Sequence, residues 1–204
     1  HAFRARALLA KAMFGSGEPS RAVLDEARAA AEAALALEPG HLEGRLQKAI
    51  ALSLILRPMS LGEARRTGYG ELSKSLAEGV LAEDPANHYA HGFLAVWNVE
   101  VVRRGGRLGA MVMGASVRSA EAHYAEAVRL APEDIGLRWQ WARALAALDA
   151  RKYRAEIDAE LTAAAAFAPV TDMDRVMQDR AATLIGVLHT ARAADTEARA
   201  QRML

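Results

Sequence analysis

His88 and His91 stand three residues apart, a spacing that brings both imidazoles to one side of a helix. Two histidines so placed begin a zinc site only if further ligands join them. Glu100 lies nine residues past His91, about 13 Å along a helix, too far to reach the same ion. His123 or a carboxylate from another helix would have to converge instead, so the residues predict ordinary histidines near a helix start and no metal centre. Catalytic patterns are missing. Gly15-Ser16-Gly17 lacks the flanks of a nucleophile elbow, and Gly68-x-Gly70 lacks a third glycine and a preceding strand. No phosphate loop occurs. No catalytic residue and no cofactor is therefore expected, and the chain reads as a protein that is not an enzyme.

The side chains left to do recognition are aromatic and cationic. Trp97, Trp139 and Trp141 are all the tryptophans present. Residues two apart on a helix point about 200° from each other, so Trp139 and Trp141 are not expected to enter one core. One of them should face a groove or a neighbouring hairpin. Arg103, Arg104 and Arg107 cluster around a run of glycines, and Arg138 with Arg143 makes a second cationic area. Guanidinium groups hold carboxylates or phosphates in a two-pronged fashion, although Glu100, Glu133 and Asp134 are close enough in the chain to neutralise them.

Composition limits the scaffold that can carry these groups. Apolar residues make up 52% of the 204 residues but aromatics only 5%, and alanine alone about a quarter. That balance suits close-packed helices rather than sheets, which favour β-branched and aromatic side chains. Twenty-six Lys and Arg against 25 Asp and Glu leave a net charge of +1. There is no broad field to draw the chain onto nucleic acid or an anionic bilayer. The absence of cysteine removes disulfides, thiolate metal sites and cysteine nucleophiles together. The greasiest run, from Ala49 to Leu56, stops at Arg57 and Pro58, short of the roughly 20 residues a membrane-spanning helix needs, so no membrane insertion is expected.

Apolar periodicity places the helices. Ala2 to Phe14, Arg21 to Leu37 and Leu42 to Leu56 each carry a stripe of three- and four-residue steps, punctuated by Pro19, by Pro39-Gly40 and by Arg57-Pro58. Ser60 and Glu63 have capping-box form and start a segment running to about Ala82, which its glycines should kink or divide near Thr67 to Gly70. After Pro85 comes the largest apolar stripe, Tyr89, Phe93, Val96, Trp97 and Val101. An irregular loop is expected over 103–110. The next helix carries Ala120, Tyr124, Ala127 and Leu130; beyond Pro132, Asp134 caps one that runs through Trp141 and Leu145. Ala155 to Phe167 and a helix opened by Thr171 complete the set, about eight or nine helices in one continuous unit over 1–204, with a frayed tail over 190–204.

The prolines reveal repetition. Ala27, Ala34, Leu37 and Pro39 match Ala120, Ala127, Leu130 and Pro132 in spacing, and Pro39, Pro85, Pro132 and Pro169 follow one another at intervals of 46, 47 and 37 residues. Ala120, Tyr124, Ala127, Leu130 and Pro132 meet the second-helix pattern of tetratricopeptide repeats, and Trp141, Ala142 and Leu145 loosely follow its first-helix pattern. The chain thus resembles the tetratricopeptide family in a divergent form. It is similar in element order to the group typified by regulators of microtubule dynamics and their bacterial relatives and, more loosely, to the helical T component of periplasmic tripartite transporters.

The resemblance implies an all-α fold, a right-handed solenoid of antiparallel helical hairpins in degenerate tetratricopeptide-like repeats. On such a fold a protein or peptide partner is expected in a concave groove; no ligand residue carries over from the family, and the residues themselves suggest Trp97 and Trp139 as apolar anchors and Arg104, Arg138 or Arg143 to orient an acidic or carboxyl-terminal group. A cavity between hairpins for a small molecule is the alternative, and a self-assembling subunit, a homo-oligomer, a third. The lack of cysteine suits both cytosol and periplasm, so the compartment stays open, with the periplasm slightly favoured.

Overall fold

The computed structural model describes residues 1–15 and 17–203; Ser16, named above beside Gly15 and Gly17, and Leu204 lie outside the described residues. Among the described residues the chain is all-helical and contains no strand. The described residues form eleven helices: α1 (Ala2–Phe14), α2 (Arg21–Leu37), α3 (Leu42–Leu56), α4 (Leu61–Thr67), α5 (Tyr69–Glu83), α6 (His88–Met113), α7 (Val117–Leu130), α8 (Ile135–Asp149), α9 (Arg154–Ala166), α10 (Asp172–Thr190) and α11 (Ala193–Arg202). Two compact units divide them, His1–Leu94 and Ala95–Leu204. Because the division falls inside α6, no proline- or glycine-rich linker marks it in the sequence.

In the first unit α2 packs against α1 and α3, and α3 packs in turn against α5. Alanine makes that possible: Ala27, Ala31 and Ala34 of α2 and Ala49 and Ala51 of α3 are buried, and their short side chains let helix backbones approach. Gly68, at φ 66°, separates α4 from α5, the division its glycines predict.

In the second unit α8 is the centre, with α7, α9, α10 and α11 all packed against it. A helix surrounded on so many sides buries residues all round rather than along one stripe. Every residue from Trp141 to Ala147 is buried. The polar tail expected over 190–204 is instead largely the helix α11, which buries Thr196 and Ala200. Its Glu197 accepts the Ala150 N–H, and Gln201 Nε2 donates to the Ala147 carbonyl, so α11 satisfies the carboxyl end of α8. A stripe of threonine and alanine is too weakly apolar to stand out by pattern.

The loop expected over 103–110 is also helical, apart from one residue. Gly106 has φ 58° and ψ −162°, a backbone state open to glycine, and the chain breaks there between two helical stretches of α6.

Three inter-helix turns share one hydrogen-bond scheme. The residues before Pro39, Pro85 and Pro132 donate their N–H groups to the carbonyls of Ala34, Val80 and Ala127. Two residues after each proline stands a cap, His41, Asn87 or Asp134, whose side chain accepts the N–H of Gly44, Ala90 or Leu137 at 3.2, 3.1 and 2.8 Å. Six residues after each proline a long polar side chain returns to the proline carbonyl: Arg45 at 3.1 Å, His91 at 3.1 Å and Arg138 at 2.7 Å. At Pro169 only the cap offset persists, with Thr171 and Asp174 in a capping box.

Candidate functional site

The five residues expected to line a groove fall into two internal networks and a core. Trp139 is 0% exposed, and Trp97 is buried as well. Trp139 and Trp141 belong to one apolar cluster, against the expectation that residues two apart cannot share a core. The reason is the central position of α8, which meets protein on both of the sides that the two rings take. Trp139 is therefore a packing residue, not a surface anchor.

Trp141 anchors the first network. Its ring stacks on Tyr124 of α7, with centroids 4.5 Å apart and planes 11° from parallel, and its Nε1 donates to Glu156 of α9 at 2.9 Å. The Tyr124 hydroxyl donates to Glu160 one turn further along α9. Arg138 of α8 donates to the same Glu160 oxygen at 2.6 Å and lies 5.4 Å above the Phe167 ring. Burial, the Glu160 hydrogen bond and the nearby carboxylates push the Tyr124 phenol well above its ordinary pKa. A phenol held this firmly protonated, stacked and donating, fixes helices in place.

The second network lies on α6 and α8. Arg143 is only 2% exposed, and its Nη1 is 3.3 Å from Glu100 while its Nε donates to Gln140 at 3.1 Å. Arg103 takes the other Glu100 oxygen at 2.7 Å. Arg104, half-buried beside Arg103, has its pKa lowered first by burial and then by that neighbouring charge. The structure thus brings Arg143 and Arg103 to one carboxylate and Arg138 to another. It does not bring the three predicted arginines together on a face.

The cations that do face solvent together are ones whose sequence spacing suggests only i, i+4 pairing along a helix, Lys152 with Glu156 and Arg154 with Asp158. Arg151, Lys152 and Arg154 line a shallow basin of about 450 Å³ with Ala155, Asp158 and His189. Lys152 Nζ donates to the Tyr153 hydroxyl at 2.8 Å, and His189 Nε2 is 2.5 Å from Asp158. Arg151 and Arg154 carry no side-chain partner among the described residues. The amino end of α9, capped by no side chain at Tyr153, opens beside them. Arg151-Lys152-x-Arg154 before a helix is the signal that could have found this place, hidden because single charges are common at helix ends.

His88 and His91 do not join a metal cluster: among the described residues no group of three or more His, Asp or Glu is placed to hold an ion. Comparison of the chain with models of known protein families and with curated proteins gives no significant match.

Proposed function

We propose that this protein is a non-catalytic scaffold for protein–protein interaction, a right-handed, degenerate tetratricopeptide-like array of helical hairpins that takes an acidic segment of a protein or peptide partner. The recurrence of one turn scheme at Pro39, Pro85 and Pro132 supports the repeat reading, because chance would not return a cap at the same offset and a side chain at the sixth position three times. The observation that carries the binding reading is the basin at Arg151, Lys152 and Arg154. Inside the second unit, arginines shielded from solvent are matched to carboxylates, as Arg138 is to Glu160 and Arg143 to Glu100. Arg151 and Arg154 are left for a carboxylate from outside. Peptide carboxylates would add charge-assisted hydrogen bonds to N–H groups at the start of α9, which no side chain of Tyr153 caps.

Fluorescence anisotropy with a labelled array of acidic and neutral peptides tests the reading. Acidic peptides should bind, and Arg151→Glu with Arg154→Glu should weaken that binding at least tenfold while Arg21→Glu, on α2, leaves it intact. An array without binders, or binding indifferent to the double charge reversal, would remove the proposal.

A further inference from the structure

The net charge of +1 conceals a local imbalance. Between Glu100 and Glu121 the chain carries four arginines, Arg103, Arg104, Arg107 and Arg118, and not one acidic residue. Arg103 pairs with Glu100 and Arg104 is half-buried, but Arg107 and Arg118 are exposed and have no side-chain partner among the described residues. Arg118 occupies the first turn of α7, where the helix dipole disfavours a cation and which contains no acidic residue. A charge held at such a position has no evident structural use.

Between those two arginines lies the most exposed apolar surface of the second unit's helices. Leu108, Met111 and Val112, at steps of three and four on the last stretch of α6, are 75%, 72% and 64% exposed. They sit at the tip of the α6–α7 hairpin. The Ala115 N–H bonds the Ala110 carbonyl at 2.8 Å and the Gly114 N–H bonds the Met111 carbonyl at 3.3 Å, a Schellman turn with Gly114 at φ 62°. Buried Asn98 accepts the Ser116 N–H at 3.0 Å and fastens the start of α7 to α6. The tip is therefore a defined structure that shows its apolar side to solvent. On the near side, Gly106 sets the direction of this stretch independently of the rest of α6.

We infer that this hairpin tip docks on an anionic lipid surface, Leu108, Met111 and Val112 entering the interface while Arg107 and Arg118 meet the headgroups. The occupant follows from charge and area. Three side chains expose on the order of a few hundred Å², well below the about 800 Å² per partner that a stable protein pair buries. A second copy related by twofold symmetry would gather Arg107 and Arg118 of both copies into one interface, from a stretch with no acidic residue to offset them. A bilayer needs neither a large area nor a matching shape: a few apolar side chains and neighbouring cations together give reversible attachment. This is docking at the interface, distinct from spanning, and no helix among the described residues is long and apolar enough to cross a membrane.

Flotation of the purified protein with phosphatidylcholine vesicles, with and without about 30% phosphatidylglycerol, tests the inference. The anionic vesicles should carry at least tenfold more protein than the neutral ones, and added salt should reduce that excess. Arg107→Glu with Arg118→Glu, and separately Leu108→Asp with Met111→Asp, should each abolish it with helical content unchanged by circular dichroism. Val170→Asp, at an exposed apolar residue of the α9–α10 turn, should leave it intact. Equal flotation on both vesicles, or none, overturns the inference. So does unchanged binding by either double variant. Concentration-dependent self-association that Leu108→Asp with Met111→Asp removes would assign the patch to a second copy and equally overturn it.

Discussion

Arg138 Nη1 lies 2.6 Å from Oε2 of Glu160, and that same oxygen accepts the Tyr124 hydroxyl. One carboxylate on α9 therefore ties down α7 and α8 at once, and both ionised side chains are more than four-fifths shielded from solvent. Removing Glu160 leaves the Tyr124 hydroxyl without its acceptor and Arg138 without its carboxylate. Glu160→Ala is expected to destabilise the protein by about 2–3 kcal/mol, with Glu160→Gln recovering part of the loss, as read by urea denaturation.

Tyr124 makes the protein sensitive to alkali. Its phenol is held above the ordinary value of 10.0, so below that pH both folded and unfolded chains carry the proton and the contribution is constant. As pH rises past it the unfolded chain releases its proton while the folded chain keeps it. Stability must then fall, by up to about 1.4 kcal/mol per pH unit from this group. Thermal unfolding of the parent protein and of Tyr124→Phe through the alkaline range checks this. The parent should lose stability more steeply with pH than the variant.

Trp139 and Trp141 should behave as core residues. Trp139→Ala opens a cavity in the cluster around α8 and is expected to cost about 3–5 kcal/mol. Trp141→Phe keeps most of the stack on Tyr124 but leaves Glu156 without its indole donor, for a smaller loss of about 1–2 kcal/mol. Chemical denaturation ranks the two, and near-ultraviolet circular dichroism reports the stack.

Adjacent glycines in α6 should answer oppositely to alanine. Gly106→Ala forces a side chain onto φ 58° and ψ −162° and is expected to cost about 1–3 kcal/mol. Gly105 is helical, and a Cβ there would meet only the Ala110 nitrogen at 3.7 Å, ordinary contact. Gly105→Ala is expected to be neutral or to stabilise by up to about 1 kcal/mol. Thermal melts of the two single variants decide it.

Much of the helical plan is legible in the chain, because caps, prolines and apolar steps act within a few residues of themselves. Ala2–Phe14, Arg21–Leu37 and Leu42–Leu56 fall where periodicity and prolines place them, and Ser60, Asp134 and Thr171 cap as their types foretell. The glycines at 105 and 106 mislead for the same local reason: a loop and a single-residue break in a helix have nearly the same composition. The helix α11 is missed because its buried face is threonine and alanine, whose worth depends on what packs over them.

Binding surfaces were less legible. A tryptophan or arginine carries the same letter whether it lines a groove or fills a core, and the number of helices gathered around α8 decides between those fates. That gathering buries Trp139 and Trp141 together and turns Arg138 and Arg143 inward to Glu160 and Glu100. It leaves Arg151 and Arg154, and the tip at Leu108, Met111 and Val112, facing outward. Local chemistry determined where each helix begins and ends, since hydrogen bonds and dihedral limits reach only a turn or two. Which residues remain for a partner was settled by tertiary packing, since burial is a property of distant neighbours brought close and no short stretch of chain contains it.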